Sequence, residues 1–263
     1  MPSNLSFSKH SDTGSFYTEI HKQVRKAANF SGKPPTVEEF RHWLESTIEG
    51  PAKLSFLDAG CGVHGLNARE CIAAGFASGA AIDINPDAIS LNQDIGAEFG
   101  SVLDIPFKDS SFDFVICSGV VHHTPDPEKA INEIYRVLKP GGFAYISIYA
   151  FRHSLFHFIV LALRAFATVI PFSIAHRLLR SIPAGNNFFM DHAYVPILWL
   201  YRDKEMRNLL SRVGFSLKED FPTSFDIFSR WPLGFLLSGG GLMRVYILQK
   251  ENTANDGVKE TPL

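Results

Sequence analysis

The sequence predicts an α/β fold: a seven-stranded, mostly parallel sheet with helices on both faces, N-terminal helices before it and a helical cover inserted after the fifth strand. Three observations lead there. From Leu54 to Tyr149 short apolar runs alternate with helical patterns, the signature of repeated strand–helix–strand units. One run, Leu54-Ser55-Phe56-Leu57-Asp58, passes directly into Ala59-Gly60-Cys61-Gly62-Val63-His64-Gly65, a glycine-rich turn that opens a helix. Beyond residue 150 the chain becomes aromatic and apolar in long stretches, as an inserted cover would.

Residues 1 to 13 are polar. Gly14 to Asn29 suits a helix, with Phe16, Tyr17, Ile20 and Val24 on one side, and Ser31-Gly32-Lys33-Pro34-Pro35 breaks it. Thr36-Val37-Glu38-Glu39 reads as a capping box before an apolar stripe of Val37, Phe40, Trp43, Leu44 and Ile48. These helices either pack against the sheet or form a lid, with Tyr17 reaching the ligand.

Strand one ends at Asp58, and the helix Leu66 to Ala74 is stopped by Gly75. Ala80 to Ile84 is the second strand, after which Asn85 caps a helix with Pro86 at its first position. A short strand near Phe99 to Val102 and a turn through Pro106 lead to the apolar strand Phe112 to Cys117. Asp126-Pro127 opens a helix that turns Ile131, Ile134, Val137 and Leu138 to the sheet; Lys139-Pro140-Gly141-Gly142 ends it, and Phe143 to Tyr149 is the fifth strand.

Ser154 to Leu179 is apolar enough to suggest a membrane span, but Arg164 and Pro171 interrupt it. It reads as helices covering the substrate side, with peripheral membrane contact through 154–179 as the alternative. The aromatic run Tyr194 to Tyr201 borders the pocket. Asp203 to Val213 is a helix ended by Gly214, and Phe215 to Phe221 and Arg244 to Lys250 are the last strands. Ile227 to Leu237, between them, is too apolar for an ordinary loop. The expected organisation is an N-terminal cap (1–50), a cofactor-binding core (51–150), a helical cover (151–202), a final helix and strand pair (203–250) and a disordered tail (251–263).

Composition narrows the function. The 263 residues are 46% hydrophobic and 20% charged, with 25 basic and 27 acidic residues and no basic block, which argues against a nucleic-acid partner. Cys61, Cys71 and Cys117 lie in or beside apolar runs without metal-ligand spacing, so they read as reduced cysteines of a cytoplasmic protein. The N-terminus shows no signal-peptide pattern.

In the glycine turn, glycines bring bare backbone N–H groups against a ligand at the positive end of a helix. The spacing Gly60-x-Gly62-x-x-Gly65, with Asp83 about 20 residues on, also meets the dinucleotide fingerprint. Asp58 discriminates. Two like charges roughly 4–6 Å apart in a partly buried cleft cost on the order of a few kcal/mol, so this carboxylate would repel a pyrophosphate. It suits a ligand with an ammonium and a sulfonium, or else it caps the turn.

The chain resembles the class I S-adenosylmethionine-dependent methyltransferases, the small-molecule type that includes the ubiquinone and menaquinone enzymes. The resemblance rests on Leu57-Asp58-Ala59-Gly60-Cys61-Gly62, Ala81-Ile82-Asp83-Ile84-Asn85-Pro86, and Leu103-Asp104-Ile105-Pro106-Phe107 with Ser111-Phe112-Asp113. Ser118-Gly119-Val120-Val121-His122-His123 and Arg136-Val137-Leu138-Lys139-Pro140-Gly141-Gly142 complete it, in the family's order over about residues 54 to 149. It implies a Rossmann-like sheet and S-adenosylmethionine as cofactor. It further implies that Asp58, Gly60, Cys61 and Gly62 surround the methionine part together with Ser118; Tyr17, outside the matched stretch, reaches that part in the lid reading of the N-terminal helices. Asp83 would take the ribose hydroxyls, Ile84 would lie on the adenine, and Ser101, Val102 and Leu103 would line the adenine edge. Ser101 stands where family members often carry Asp, and Asp104 reads equally as a turn cap.

Methyl transfer to a hydroxyl would need a base. His123 and His122, after the fourth core strand, are the candidates, with His153, His192 and Tyr194 further off. No metal is expected. The aromatic second half implies a small, apolar or aromatic methyl acceptor. The rival readings are a cofactor-binding protein without catalysis and an NAD-dependent oxidoreductase.

Overall fold

The computed structural model describes residues 3–4, 16, 35–150, 155–167, 169–171, 174, 177, 193–223 and 243–252. Their strands are β1 (Ser3–Asn4), β2 (Ser55–Ala59), β3 (Ser78–Asp83), β4 (Ala97–Phe99), β5 (Phe112–Ser118), β6 (Leu138–Tyr149), β7 (Trp199–Leu200), β8 (Phe215–Pro222) and β9 (Met243–Lys250). Their helices are α1 (Pro35–Thr47), α2 (Leu66–Ala73), α3 (Pro86–Leu91), α4 (Pro127–Val137), α5 (Leu155–Ala167) and α6 (Asp203–Val213).

Seven strands form one sheet in the order β4-β3-β2-β5-β6-β9-β8. β2 to β6 run parallel, and β9 is antiparallel to both of its neighbours. The expected mostly parallel α/β sheet is therefore what the chain forms. Its strands read as continuous apolar runs because both faces are covered. On one face Leu57, Val115 and Ile146 meet Ile131 and Ile134 of α4 and Met206 and Leu210 of α6. On the other, Phe56, Phe114 and Tyr145 meet Phe40, Trp43 and Leu44 of α1 and Ala68 and Cys71 of α2. The chain order reverses between β2 and β5, and in such sheets ligands bind in the crevice there, at the strands' C-terminal ends.

Three local expectations are corrected. α1 begins at Pro35, one residue before the expected capping Thr36, and is no lid: the Phe40 ring lies 5.0 Å from Tyr145 and 6.3 Å from Phe114 of the sheet. β4 ends at Phe99, not Val102, because its partner β3 ends at Asp83; Gly100 N–H donates to the Asp83 carbonyl (3.1 Å), and Ser101 folds back onto Asp104. β6 begins at Leu138, directly after α4. Leu138 pairs with Phe112, and Lys139 to Gly142 bulge out before Phe143 pairs with Phe114. Leu138 thus belongs to the strand, not to the helix face. The expected helix over 14–29 and the run 227–237 lie outside the described residues, apart from a buried, helical Phe16.

Candidate active site

The glycine turn leaves the C-terminal end of β2 and folds over that of β3, where the N–H groups of Gly60 and Cys61 both donate to the Ile82 carbonyl (2.8 and 3.0 Å). Gly62 is left-handed (φ 64°), and nothing lies within 4 Å of where a Cβ would stand, so glycine keeps space open beside this peptide. Its N–H donates to Asp83 Oδ2 (2.8 Å) and its carbonyl accepts from Asn92 Nδ2 (2.9 Å). Gly65 precedes α2 and has no side chain to cap it. Asp58 supplies the cap from β2: its Oδ2 accepts from the N–H of Ala68, the third helical residue (3.0 Å).

Asp58 has no exposed surface, and its Oδ1 finds no hydrogen-bond partner among the described residues. Burial pushes its pKa up to about 7; the Ala68 N–H opposes the shift and the nearby Asp83 charge adds to it. One oxygen therefore serves the capping role, and the other is left as an unpartnered buried acceptor. Asp83, at the end of β3, also accepts from Asn85 N–H on Oδ1 (2.8 Å). Each of its oxygens keeps a further acceptor site. Burial, with the Asp58 and Asp83 charges, pushes the Cys61 thiol up to about 12. Burial raises Cys71 and Cys117 as well, again with a contribution from Asp58. None of the three is a thiolate nucleophile near neutral pH.

The other expected cofactor contacts vary in presentation. Ile84, just past β3, is 40% exposed and offers an apolar surface. Ser101 Oγ accepts from Leu103 N–H (3.1 Å), which turns it onto its own loop, and Val102 is packed into the core. Ser118 and Ser147, neighbours at the ends of β5 and β6, share a hydrogen bond (2.9 Å). Tyr17, His153 and His192 lie outside the described residues.

The two histidines close a short 3-10 turn, Val121–His123, after β5. Both are buried. Their ring centroids are 4.1 Å apart, and Tyr149 at the end of β6 lies 4.4 Å from His122 and 5.7 Å from His123. His123 Nδ1 is 2.9 Å from the Ile197 carbonyl. A carbonyl can only accept, so Nδ1 carries the proton and the neutral ring keeps its lone pair on Nε2. The cover segment that provides this carbonyl also sends Trp199 Nε1–H to Thr124 O (3.0 Å), locking the histidine turn from outside. Tyr194 OH donates to Ile170 O (3.1 Å), and burial raises its pKa, so it braces the cover rather than serving as a base.

Several side chains that shape the site were given no such part in the sequence reading. Asn92 supports the glycine turn. Arg136 and Glu133 hold the loop after Ser101: Arg136 donates to the carbonyls of Ile105 (2.9 Å) and Phe107 (2.8 Å), and Glu133 Oε2 accepts from Ile105 N–H (2.8 Å). Arg164 is buried inside the cover and donates to Val195 O (3.0 Å). Only Arg136 stood in a recognisable motif, without a role attached. Among the described residues no three His, Cys, Asp or Glu side chains gather as a metal site, and no helix is long and apolar enough to cross a membrane.

Residues 57–146 match the family described as "Methyltransferase domain". Norajmaline N-methyltransferase of Rauvolfia serpentina is 30% identical over 109 residues, which are 38% of this chain and 37% of that protein. Demethylmenaquinone methyltransferase of Lactiplantibacillus plantarum is 32% identical over 118 residues, 39% of this chain and 49% of that protein. The chain thus spans half or less of these curated relatives. A crystal structure of a Thermotoga maritima SAM-dependent methyltransferase, described as a possible histamine N-methyltransferase, shares the fold with a TM-score of 0.60 and 16% identity, over 91% of this chain and 100% of that one. Sheet order, glycine turn and family match together make residues 57–146 similar to methyltransferase domains, in a fold shared with a solved S-adenosylmethionine-dependent methyltransferase.

Proposed function

We propose that this protein transfers a methyl group to an oxygen, nitrogen or carbon atom of a small, largely apolar or aromatic molecule. The observation that carries the reading is the pair of carboxylates at the glycine turn. Asp58 is buried with one oxygen unpartnered, and Asp83 lies within electrostatic reach of it. Among the described residues no Lys or Arg bonds to either. Such a site repels phosphates and favours a cationic ligand. S-adenosylmethionine fits it, with its ammonium and sulfonium, and supplies when bound an activated methyl group. Asp58 would answer the ammonium directly or through water, Asp83 would accept the ribose hydroxyls, and Ile84 would lie against the adenine. Aligning the reactants can account for several kcal/mol of the barrier, up to roughly 7–11. His123 is the residue we assign as base: where the acceptor is a hydroxyl, Nε2 takes its proton while Ile197 holds the ring.

Calorimetry with S-adenosylhomocysteine and with NADH tests the cofactor. Binding of the first alone is expected; binding of NADH alone would defeat the reading. The relatives are named for different acceptors, norajmaline and demethylmenaquinone, so likeness does not select one. Mass spectrometry of the small molecule retained by the purified protein would identify the class. A turnover screen in which only highly charged acceptors react would refute the apolar assignment.

The cover supports a second reading, peripheral contact with an anionic lipid surface through 154–179. On α5 and just beyond it Phe158 (69%), Leu161, Val169 (77%) and Ile174 are exposed, while Arg164 is turned inward. From Phe151 to Met190 the chain has Arg152, Arg164, Arg177 and Arg180 but no Asp or Glu. Flotation with phosphatidylglycerol vesicles should carry the protein upward, and Phe158→Ser should weaken that. Equal recovery with and without vesicles would dismiss it.

A further inference from the structure

The glycine turn is held from behind by a side chain that takes no part in the chemistry. Asn92, at the C-terminal end of α3, is 1% exposed. Its amide N–H groups go to the carbonyls of Gly62 and Ala88, both at 2.9 Å, and its Oδ1 accepts from Arg69 Nη2 (3.2 Å). The partners fix the amide's orientation, since the reverse would set its oxygen against two carbonyl oxygens. Arg69 runs on to the carbonyl of His64 (3.1 Å) and to Asp94 (2.6 Å). At the other end of the turn, a Cβ on Gly65 would come within 2.8 Å of Asn92 Oδ1. Gly62 is thus held on both sides, the peptide before it by its N–H on Asp83 and the peptide after it by its carbonyl on Asn92. Glycine by itself resists rotation of those peptides very little.

We propose that Asn92 is a positioning residue for cofactor binding. Its amide sets the orientation of the peptide that follows Gly62 and so keeps the open side of the turn and the Asp83 carboxylate in one arrangement before the cofactor arrives. The cost of ordering the turn is then met in the free protein rather than at binding. This inference rests on the reading that the turn takes S-adenosylmethionine.

Two variants test it. Asn92→Asp keeps the size and the acceptor for Arg69 but replaces the donors; Asn92→Leu removes all three bonds. Lys139→Ala is the control. It breaks a 2.7 Å pair with Asp113 at the opposite, entry end of the sheet, and so lowers stability far from the turn. In both Asn92 variants the Kd for S-adenosylhomocysteine, read by calorimetry, should rise about tenfold, equivalent to about 1.4 kcal/mol. KM for S-adenosylmethionine should rise by the same factor with a much smaller change in kcat, and hydrogen exchange at the Gly62 amide should quicken. If either folded variant binds like the parent, or if Lys139→Ala loses affinity equally for the same loss of Tm, the proposal is overturned. Failure of the parent protein to bind S-adenosylhomocysteine would instead strike the cofactor reading itself, before any variant is made.

Discussion

At Asp83 two backbone N–H groups, from Gly62 and Asn85, converge on one carboxylate, so this side chain organises the turn, and in the proposed function it would also accept the ribose hydroxyls. Asp83→Ala should therefore weaken S-adenosylhomocysteine binding by roughly 1.5–3 kcal/mol, ten- to a hundredfold, measured by calorimetry. Unchanged affinity would remove it from the site. His123 is a different kind of residue. Its ring is held by Ile197, 74 positions away, in the tautomer a base requires. For a hydroxyl acceptor, His123→Ala should lower kcat by about 10²–10⁴ while cofactor affinity stays the same. Full turnover in this variant would exclude it as the base. The place of Asp83 was legible because a strand-end acid after an apolar run is a local pattern. The tautomer of His123 was not, because it depends on a carbonyl from the cover.

Among the elements, the loop between β4 and β5 shows how a motif residue works through geometry. All five N–H groups of the Arg136 guanidinium are used: two bonds to Glu133, one to Asp109 and one each to the carbonyls of Ile105 and Phe107. Carboxylates on both sides hold its pKa above the ordinary arginine value. Lysine cannot reproduce that planar fork. Arg136→Lys should cost about 2 kcal/mol. For a chain of this size that lowers Tm by roughly 4–8 °C in calorimetric scans. A Tm within a degree of the parent's would show that the loop is held by other contacts. α1 teaches the converse. Its apolar stripe was plain, but a stripe does not say what it faces, and only the contacts of Phe40 and Trp43 with Phe114 and Tyr145 place it on the sheet.

For the molecule as a whole, a carboxylate buried without a cation is a cost of folding that the proposed cationic ligand would relieve. Asp58, with a pKa near 7 against the usual 3.8, binds its proton more tightly in the folded chain than in the unfolded one. Through this group the ligand-free protein loses stability as pH rises from about 4 to about 7, by up to about 1.4 kcal/mol per unit. Asp58→Asn keeps an acceptor for Ala68 and removes the charge. Thermal scans of the ligand-free variant should show a higher Tm than the parent at pH 8, a smaller gain at pH 5 and little difference near pH 3. Its affinity for S-adenosylhomocysteine should fall, and should no longer increase as pH rises through 7. A variant less stable than the parent at pH 8 would mean that the charge is compensated.

The sequence by itself determined the α/β class, the order of its core elements and the glycine turn with its acids. Alternating periodicity, helix caps and glycine's freedom at positive φ are properties of neighbouring residues, and a linear chain displays them. Only the tertiary structure decided that Asp58 is buried with an oxygen to spare, that β6 starts at Leu138, and that Asn92 grips Gly62 from thirty residues away. Those facts arise where distant segments meet, and burial, hydrogen-bond partners and pKa exist only once they have met.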